Sequence, residues 1–223
     1  MDKNIANWDD IYSNNKAGSF LSYPNENLVT LFFQNRKDIN LNGRCLDYGF
    51  GSANNAEFLI QHMQELYGIE ISESSVNIAK NRLAKFGNFN PANFLVSGSE
   101  PNLTGHFDLI VAWQMLYYND KQGLLASIAK LYEWLKPGGM LLCTLITPRD
   151  VKVKNAKLID VDTYVIDGRI PTQEGCKVFS PKNEQEFLGL FDRLEVIDCG
   201  YYERASSLSE NTASEYYLVA KKK

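Results

Sequence analysis

Apolar runs without period-two alternation recur along this chain with helix-patterned segments between them, and that arrangement leaves few folds open. The runs at residues 44–47, 66–71, 92–97, 108–113 and 139–146 are short enough for strands and apolar toward both faces. Strands of that kind belong to a parallel sheet covered by helices on both sides. The segments between them carry helical spacing. Phe58, Leu59 and Met63 mark a helix over 54–64; Val76, Ile78, Ala79 and Leu83 mark one opened by Ser72 or Ser74 as N-cap; a third spans 123–135. Pro137-Gly138-Gly139 breaks that helix from the strand after it.

The ends depart from this rhythm. Trp8, Ile11 and Tyr12 suggest one helix and residues 27–33 a second, separated at Tyr23-Pro24, so residues 1–40 read as an N-terminal helical cap. Residues 147–181 are irregular and charged, and their TYVIDGRIP stretch suits an inserted hairpin near the active cleft. After a helix over 183–191, runs at 194–202 and 215–220 are joined by the SSLSEN turn region with no helix between, so they pair antiparallel. The expectation is one α/β domain over 1–223. It has a doubly wound, mostly parallel seven-stranded sheet closed by an antiparallel C-terminal strand pair.

Length and composition agree. At 223 residues, 44% hydrophobic and 22% charged, the chain can bury one substantial core. The longest apolar run, residues 140–146, is far short of the roughly 20 needed to cross a bilayer, so no membrane partner is expected. A net charge of −4 argues against nucleic acid and for a small-molecule substrate. The N-terminus lacks a signal-peptide profile and the four cysteines have no CxxC or metal spacing, which suits reduced thiols in the cytoplasm. Oligomeric state is not encoded in these patterns.

The turn after the first strand, LDYGFGSANNAEF, narrows the function. At the carboxyl ends of a parallel sheet, Gly49 and Gly51 allow backbone to approach a ligand where a Cβ would collide. Glu70, 23 residues after Asp47, ends the second strand, where a carboxylate binds a ribose diol. A nucleoside-bearing cofactor follows. A GxGxxG dinucleotide fingerprint needs glycine at 54, and the chain has Asn54. Asp47 is also a poor neighbour for a pyrophosphate and a better one for a cation.

LDYGFGSA, GIEIS, FDLIVAW and LKPGG, with the antiparallel closing strands, resemble the motifs of class I S-adenosylmethionine-dependent methyltransferases over about residues 41–145. The resemblance implies that S-adenosylmethionine binds, with S-adenosylhomocysteine as product. By the same resemblance Asp47 contacts the cofactor's amino-acid end, with Gly49, Phe50 and Gly51 running beneath it. Glu70 holds the ribose with Ile71 against adenine, and Trp113 and Gln114 flank the methionine portion. The first helices then bring Trp8, Tyr12 or Tyr23 near the pocket. Two positions depart from the family pattern. Ala53 stands where a third glycine is usual, and Gly98 and Ser99 stand where an acid often faces adenine.

Methyl transfer from a sulfonium needs mainly a positioned nucleophile, and a base only when the acceptor must lose a proton. His62 lies in a helix away from the cleft and His106 at a strand's amino end, so neither reads as that base. Tyr117 and Tyr118 suit either the acceptor site or core packing. The run 149–157, RDVKVKNAK, is expected to be a solvated loop, with an anionic substrate as the alternative. Asp160, Asp162 and Asp167 read as an acidic loop rather than a metal cage. The catalytic residue is therefore left unassigned, and catalysis by placement is expected. The cap and the 147–181 insertion are expected to build the acceptor pocket. Two alternatives share the sheet: a nicotinamide-dependent Rossmann oxidoreductase, and a non-catalytic cofactor-binding partner or sensor.

Overall fold

The computed structural model describes residues 3–14, 20–207 and 212–223. Two helices come first, α1 (Lys3–Ser13) and α2 (Glu26–Gln34). An alternating body follows: β1 (Arg44–Tyr48), α3 (Asn54–Leu59), β2 (Glu65–Glu70), α4 (Glu73–Leu83), β3 (Phe94–Val96), β4 (Phe107–Ala112), α5 (Lys121–Trp134) and β5 (Leu135–Ile146). Then come α6 (Val151–Lys154), β6 (Ala156–Asp160), β7 (Thr163–Ile166), β8 (Lys177–Phe179), α7 (Glu184–Gly189), β9 (Leu194–Ala205) and β10 (Thr212–Lys222).

The main sheet has seven strands in the order β3-β2-β1-β4-β5-β10-β9. All pairings are parallel except those of β10, which runs antiparallel to both β5 and β9. This is the fold expected from the sequence. Both faces are apolar for the reason the runs lacked alternation. Leu46, Ile110 and Leu141 pack toward α5 and α7, while Cys45, Leu109, Val111 and Leu142 pack toward α2, α3 and α4. Strand order reverses between β1, whose other neighbour is β2, and β4, whose other neighbour is β5, so the switch point opens at the carboxyl ends of β1 and β4.

Three local readings are corrected. The helix expected to reach residue 64 ends at Leu59, because Gln61 and His62 donate back only three residues, to Phe58 and Leu59, while Gln64 donates to Leu41 and feeds β2. Pro137-Gly138-Gly139 does not precede β5 but lies inside it. The strand starts at Leu135, opposite Phe107, and a register shift absorbs the extra residues with Gly138 at φ +77°. Instead of a hairpin, the 147–181 insertion contains a three-stranded antiparallel sheet, β6-β7-β8. Its TYVI segment is the middle strand, so it needs two partners. The Phe179 N–H donates to the Tyr117 carbonyl at 2.8 Å, and the Ser180 hydroxyl donates to the Ile146 carbonyl at 3.1 Å, which ties the small sheet to the ends of β4 and β5. Part of the expected SSLSEN turn, residues 208–211, lies outside the described residues.

In the middle of β2, Gly68 makes room for the Phe50 and Phe94 rings, whose centroids are 5.4 Å apart. A Cβ there would fall 2.5 Å from Phe94 ring atoms and 2.7 Å from Phe50 Cδ1, and both rings are buried. Gly68→Val should therefore destabilise the protein by about 1–3 kcal/mol through overpacking. Urea unfolding should show an earlier midpoint with an unchanged slope.

Candidate functional site

Beyond β1 the chain turns back through a series of left-handed residues: Gly49 at φ +74°, Gly51 at +53° and Ala53 at +60°. A Cβ on Gly49 would lie 2.5 Å from Met115 Cγ, and one on Gly51 would lie 2.4 Å from the Tyr12 hydroxyl oxygen. Ala53 takes the conformation that a third glycine would adopt freely, at a cost of about 1–2 kcal/mol for an L-residue. Its methyl is fully buried, so the departure from the glycine pattern is accommodated by packing.

Glu70 fastens this turn. Its Oε2 accepts from the Gly51 N–H at 2.9 Å, and its Oε1 accepts from the Ile71 N–H at 2.7 Å. The Ser75 hydroxyl donates to the Gly51 carbonyl, so both polar groups of Gly51 are held. Burial raises the Glu70 pKa, against the backbone donors at Gly51, Ile71 and Ser72. Asp47 is buried too, with one carboxylate oxygen, Oδ2, left without a hydrogen-bond partner. Burial first, then the charge of Glu70, push its pKa up to about 8.

Above the turn lies a cavity of about 250 Å³. Gly49, Glu70 and Ile71 line it from β1 and β2, with Ser97 beyond β3 and Gln114, Met115, Tyr118 and Asn119 beyond β4. Helix α1 roofs it with Asn4, Ile5, Trp8 and Tyr12. Trp8 meets Tyr118 edge-on at 4.8 Å and stacks on Tyr12 at 5.9 Å. Burial, then Glu70, push the Tyr12 phenol above its ordinary range.

Helix α1 is pinned at both ends. Asp9 Oδ1 accepts from the Ser72 hydroxyl at 2.7 Å and from the Ser74 N–H at 3.1 Å, at the start of α4. Asn4 donates to the Tyr118 carbonyl at 3.0 Å and accepts from the Lys177 N–H at 3.2 Å. Asn7 donates to the Thr172 carbonyl at 3.2 Å, so the far end is held by the insertion.

Of the residues singled out from sequence, Trp8, Tyr12, Gly49, Glu70, Ile71, Gln114 and Tyr118 meet at this cavity, with Gly51 beneath Tyr12 and Asp47 buried behind the turn. Phe50 is instead core, against Phe94. Trp113 is buried among Val111 and Leu142, because strand alternation turns it inward while Gln114 emerges. Gly98 and Ser99 are exposed. The Gly98 N–H donates to Glu100, and the Ser99 hydroxyl donates to the Val96 carbonyl, so Ser97 rather than either of them faces the cavity. Tyr23 is 69% exposed and borders a different cavity. Sequence reading also missed Tyr48, which sits inside the LDYGFG turn but was not singled out, and Met115 and Asn119, whose side chains carry no motif.

The histidines are accounted for by packing. His62 sits among Phe32, Phe33 and Phe58, and His106 against Tyr67 and Phe107. Within the insertion, Asp162 pairs with Lys121 and Lys182 at 3.7 and 3.6 Å, and Asp167 pairs with Arg169. The 149–157 run is not a solvated loop throughout, since Lys152 turns inward to buried Asp150 at 3.5 Å.

Comparison with known proteins agrees with this fold. A family model described as a methyltransferase domain matches residues 18–193. No curated protein sequence matches the chain. Among solved structures, the N-methyltransferase NodS from Bradyrhizobium japonicum WM9, in complex with S-adenosyl-L-homocysteine, is 16% identical. The match covers 99% of each chain with a TM-score of 0.68. A SAM-dependent methyltransferase from Methanosarcina mazei is 18% identical over 84% of this chain and 95% of that one, with a TM-score of 0.65. The 1,6-didemethyltoxoflavin-N1-methyltransferase of Burkholderia thailandensis is 12% identical over 98% and 86%, with a TM-score of 0.68.

Two predictions follow from the acids Asp47 and Asp9. An unfolded aspartate ionises near 3.9 and Asp47 in the fold near 8, so stability falls as pH rises through that window. Asp47→Asn should match the ligand-free wild type at pH 4 and exceed it at pH 8 by on the order of a few kcal/mol, read by urea unfolding. The Ser72 hydroxyl, then the Ser74 amide, hold Asp9 below its ordinary pKa, so its contribution is present above about pH 4 and lost below. Asp9→Ala should speed amide exchange in α1 about tenfold at pH 7, the equivalent of one charged hydrogen bond.

Proposed function

The chain belongs to the methyltransferase-domain family, and from that premise we propose that it is an enzyme transferring a methyl group from S-adenosylmethionine to a small-molecule acceptor. One observation carries the reading of the site. Two buried carboxylates, Glu70 lining the cavity and Asp47 behind the glycine turn, stand at the switch point, and among the described residues no lysine or arginine is within ion-pairing distance of either. Such a site favours a ligand bearing positive charge. An anionic pyrophosphate would meet repulsion there, which separates this reading from a nicotinamide-dependent oxidoreductase.

The residues fit the cofactor. Glu70 keeps acceptor capacity beyond that given to the Gly51, Ile71 and Ser72 amides, and a ribose hydroxyl would take it. Asp47, with its unpaired Oδ2, supplies charge for the ammonium of the amino-acid end. Ile69, Ile71 and Ser97 suit adenine, with the Ser97 hydroxyl as its polar contact. When bound, S-adenosylmethionine supplies a methyl on a sulfonium whose sulfur leaves as a neutral thioether. The chain's part is to orient and to exclude water: the glycine turn fixes the floor, and Trp8, Tyr12 and Tyr118 close the roof.

We read residues 1–223 as one catalytic unit whose cap and 147–181 insertion shape the acceptor side. Four cysteines outside any disulfide, three of them buried, support a reducing, cytoplasmic setting.

Titration calorimetry with S-adenosylhomocysteine tests the assignment. Wild type should bind with proton release near pH 7, as the ligand's ammonium favours ionised Asp47. Glu70→Ala should weaken binding about 10–100-fold, the range for one charged hydrogen-bonding group. Unchanged affinity in Glu70→Ala would remove the ribose role from Glu70, and no binding to wild type would overturn the cofactor reading.

A further inference from the structure

Gln114 stands between two cavities. One is the cavity already described, and the other, of about 610 Å³, lies between the segment before α2 and the start of β10. Gln114 is held at φ +58°, a left-handed conformation that a glutamine adopts only under constraint, as at functional sites. Its N–H is tied to the Thr144 hydroxyl at 2.9 Å, and its Nε2 reaches both oxygens of Glu215 at 3.0 Å.

Glu215 pairs in register with Ile146, so the antiparallel course of β10 puts it at the carboxyl edge of the parallel strands. It is only 9% exposed, yet it lines the second cavity. Its other partner is the Tyr117 hydroxyl at 3.5 Å. Among the described residues no lysine or arginine lies within ion-pairing distance of it. Lys152 acts from farther away and is paired with Asp150, and Arg149 is engaged by Glu203 at 2.6 Å. The facing walls are of two kinds: Leu21, Tyr23 and Tyr202 are apolar or aromatic, while Glu26 adds negative charge, Arg204 is a cation and Glu203 is already paired with Arg149. Burial raises the Glu215 pKa and Asp150 adds to it, opposed by Lys152, Gln114 and Tyr117.

We propose that this second cavity is the methyl-acceptor subsite, that it takes a primary or secondary amine carried on an apolar or aromatic body, and that Glu215 is the catalytic residue receiving the amine's proton. The proposal rests on the methyltransferase reading and deepens it. The ammonium enters as counter-ion to Glu215 and passes one N–H proton to its carboxylate, leaving a neutral amine with a free lone pair. That pair forms the N–C bond to the methyl as the S–C bond breaks, its electrons going to sulfur. The products are an N-methylammonium, a thioether and protonated Glu215, which returns its proton to water. An ammonium of pKa near 10 can pass a proton to a carboxylate raised by burial; an alcohol, far less acidic, cannot. A carboxylate or phosphate acceptor would face uncompensated negative charge.

The test uses the full chain saturated with S-adenosylhomocysteine and three probes of one shape: phenethylamine, 2-phenylethanol and phenylacetate. Calorimetry should give the amine at least tenfold tighter than the alcohol, with no detectable phenylacetate binding. Glu215→Gln should cut amine affinity tenfold or more while S-adenosylhomocysteine affinity stays within twofold. Should that variant not fold, the ¹³C resonance of the Glu215 carboxyl in wild type should move with phenethylamine and not with phenylethanol. Equal binding of amine and alcohol, a preference that survives Glu215→Gln, or an unmoved resonance would overturn the amine site. In each of those cases intact S-adenosylhomocysteine binding leaves the methyltransferase reading standing, whereas its loss in wild type removes both.

Discussion

The carboxylate of Glu70 holds the glycine turn at its distance from the second strand. With one oxygen on the Gly51 amide and the other on that of Ile71, it links β1's exit to β2's exit beside the switch point. The turn would otherwise leave a half-buried backbone donor without a partner, at a cost of up to about 1–3 kcal/mol. The same acid faces the cavity, so the group that shapes the floor is also a group a ligand would meet. Its charge has a second effect on Asp47, which is pushed toward its neutral form when the cavity holds no cation.

The sheet was legible because its strands are apolar on both faces, and that property survives any detail of packing. Glu70 and Gly49 were legible because a strand's end and a tight turn are both visible in residue order. Phe50 and Trp113 were not, since each sits one residue from a cavity-lining position, and a single step along a strand or turn reverses the direction of a side chain. Ser97 shows the same one-residue uncertainty in the other direction, taking the place expected of Gly98 or Ser99. Glu215 had no local signal at all. It reaches the carboxyl edge only because β10 runs against its neighbours, a fact about topology rather than about the residues around it.

The cap and the insertion, far apart in sequence, act as one wall. Helix α1 bonds to Thr172 and Lys177 of the insertion at one end and to the start of α4 at the other. The small β6-β7-β8 sheet is thus a support for the roof as well as a neighbour of the acceptor side. Residues 147–181 read as irregular because much of β6 is exposed and carries no core pattern.

Helix α1 lies across the mouth of the cavity, with Tyr12 over Gly51 and Asp9 hooked onto α4. The Asp9 bonds to α4 set how closely Trp8 and Tyr12 stand over whatever occupies the cavity, so a change in the first turn of α4 would be felt as a change in the room left beneath the roof.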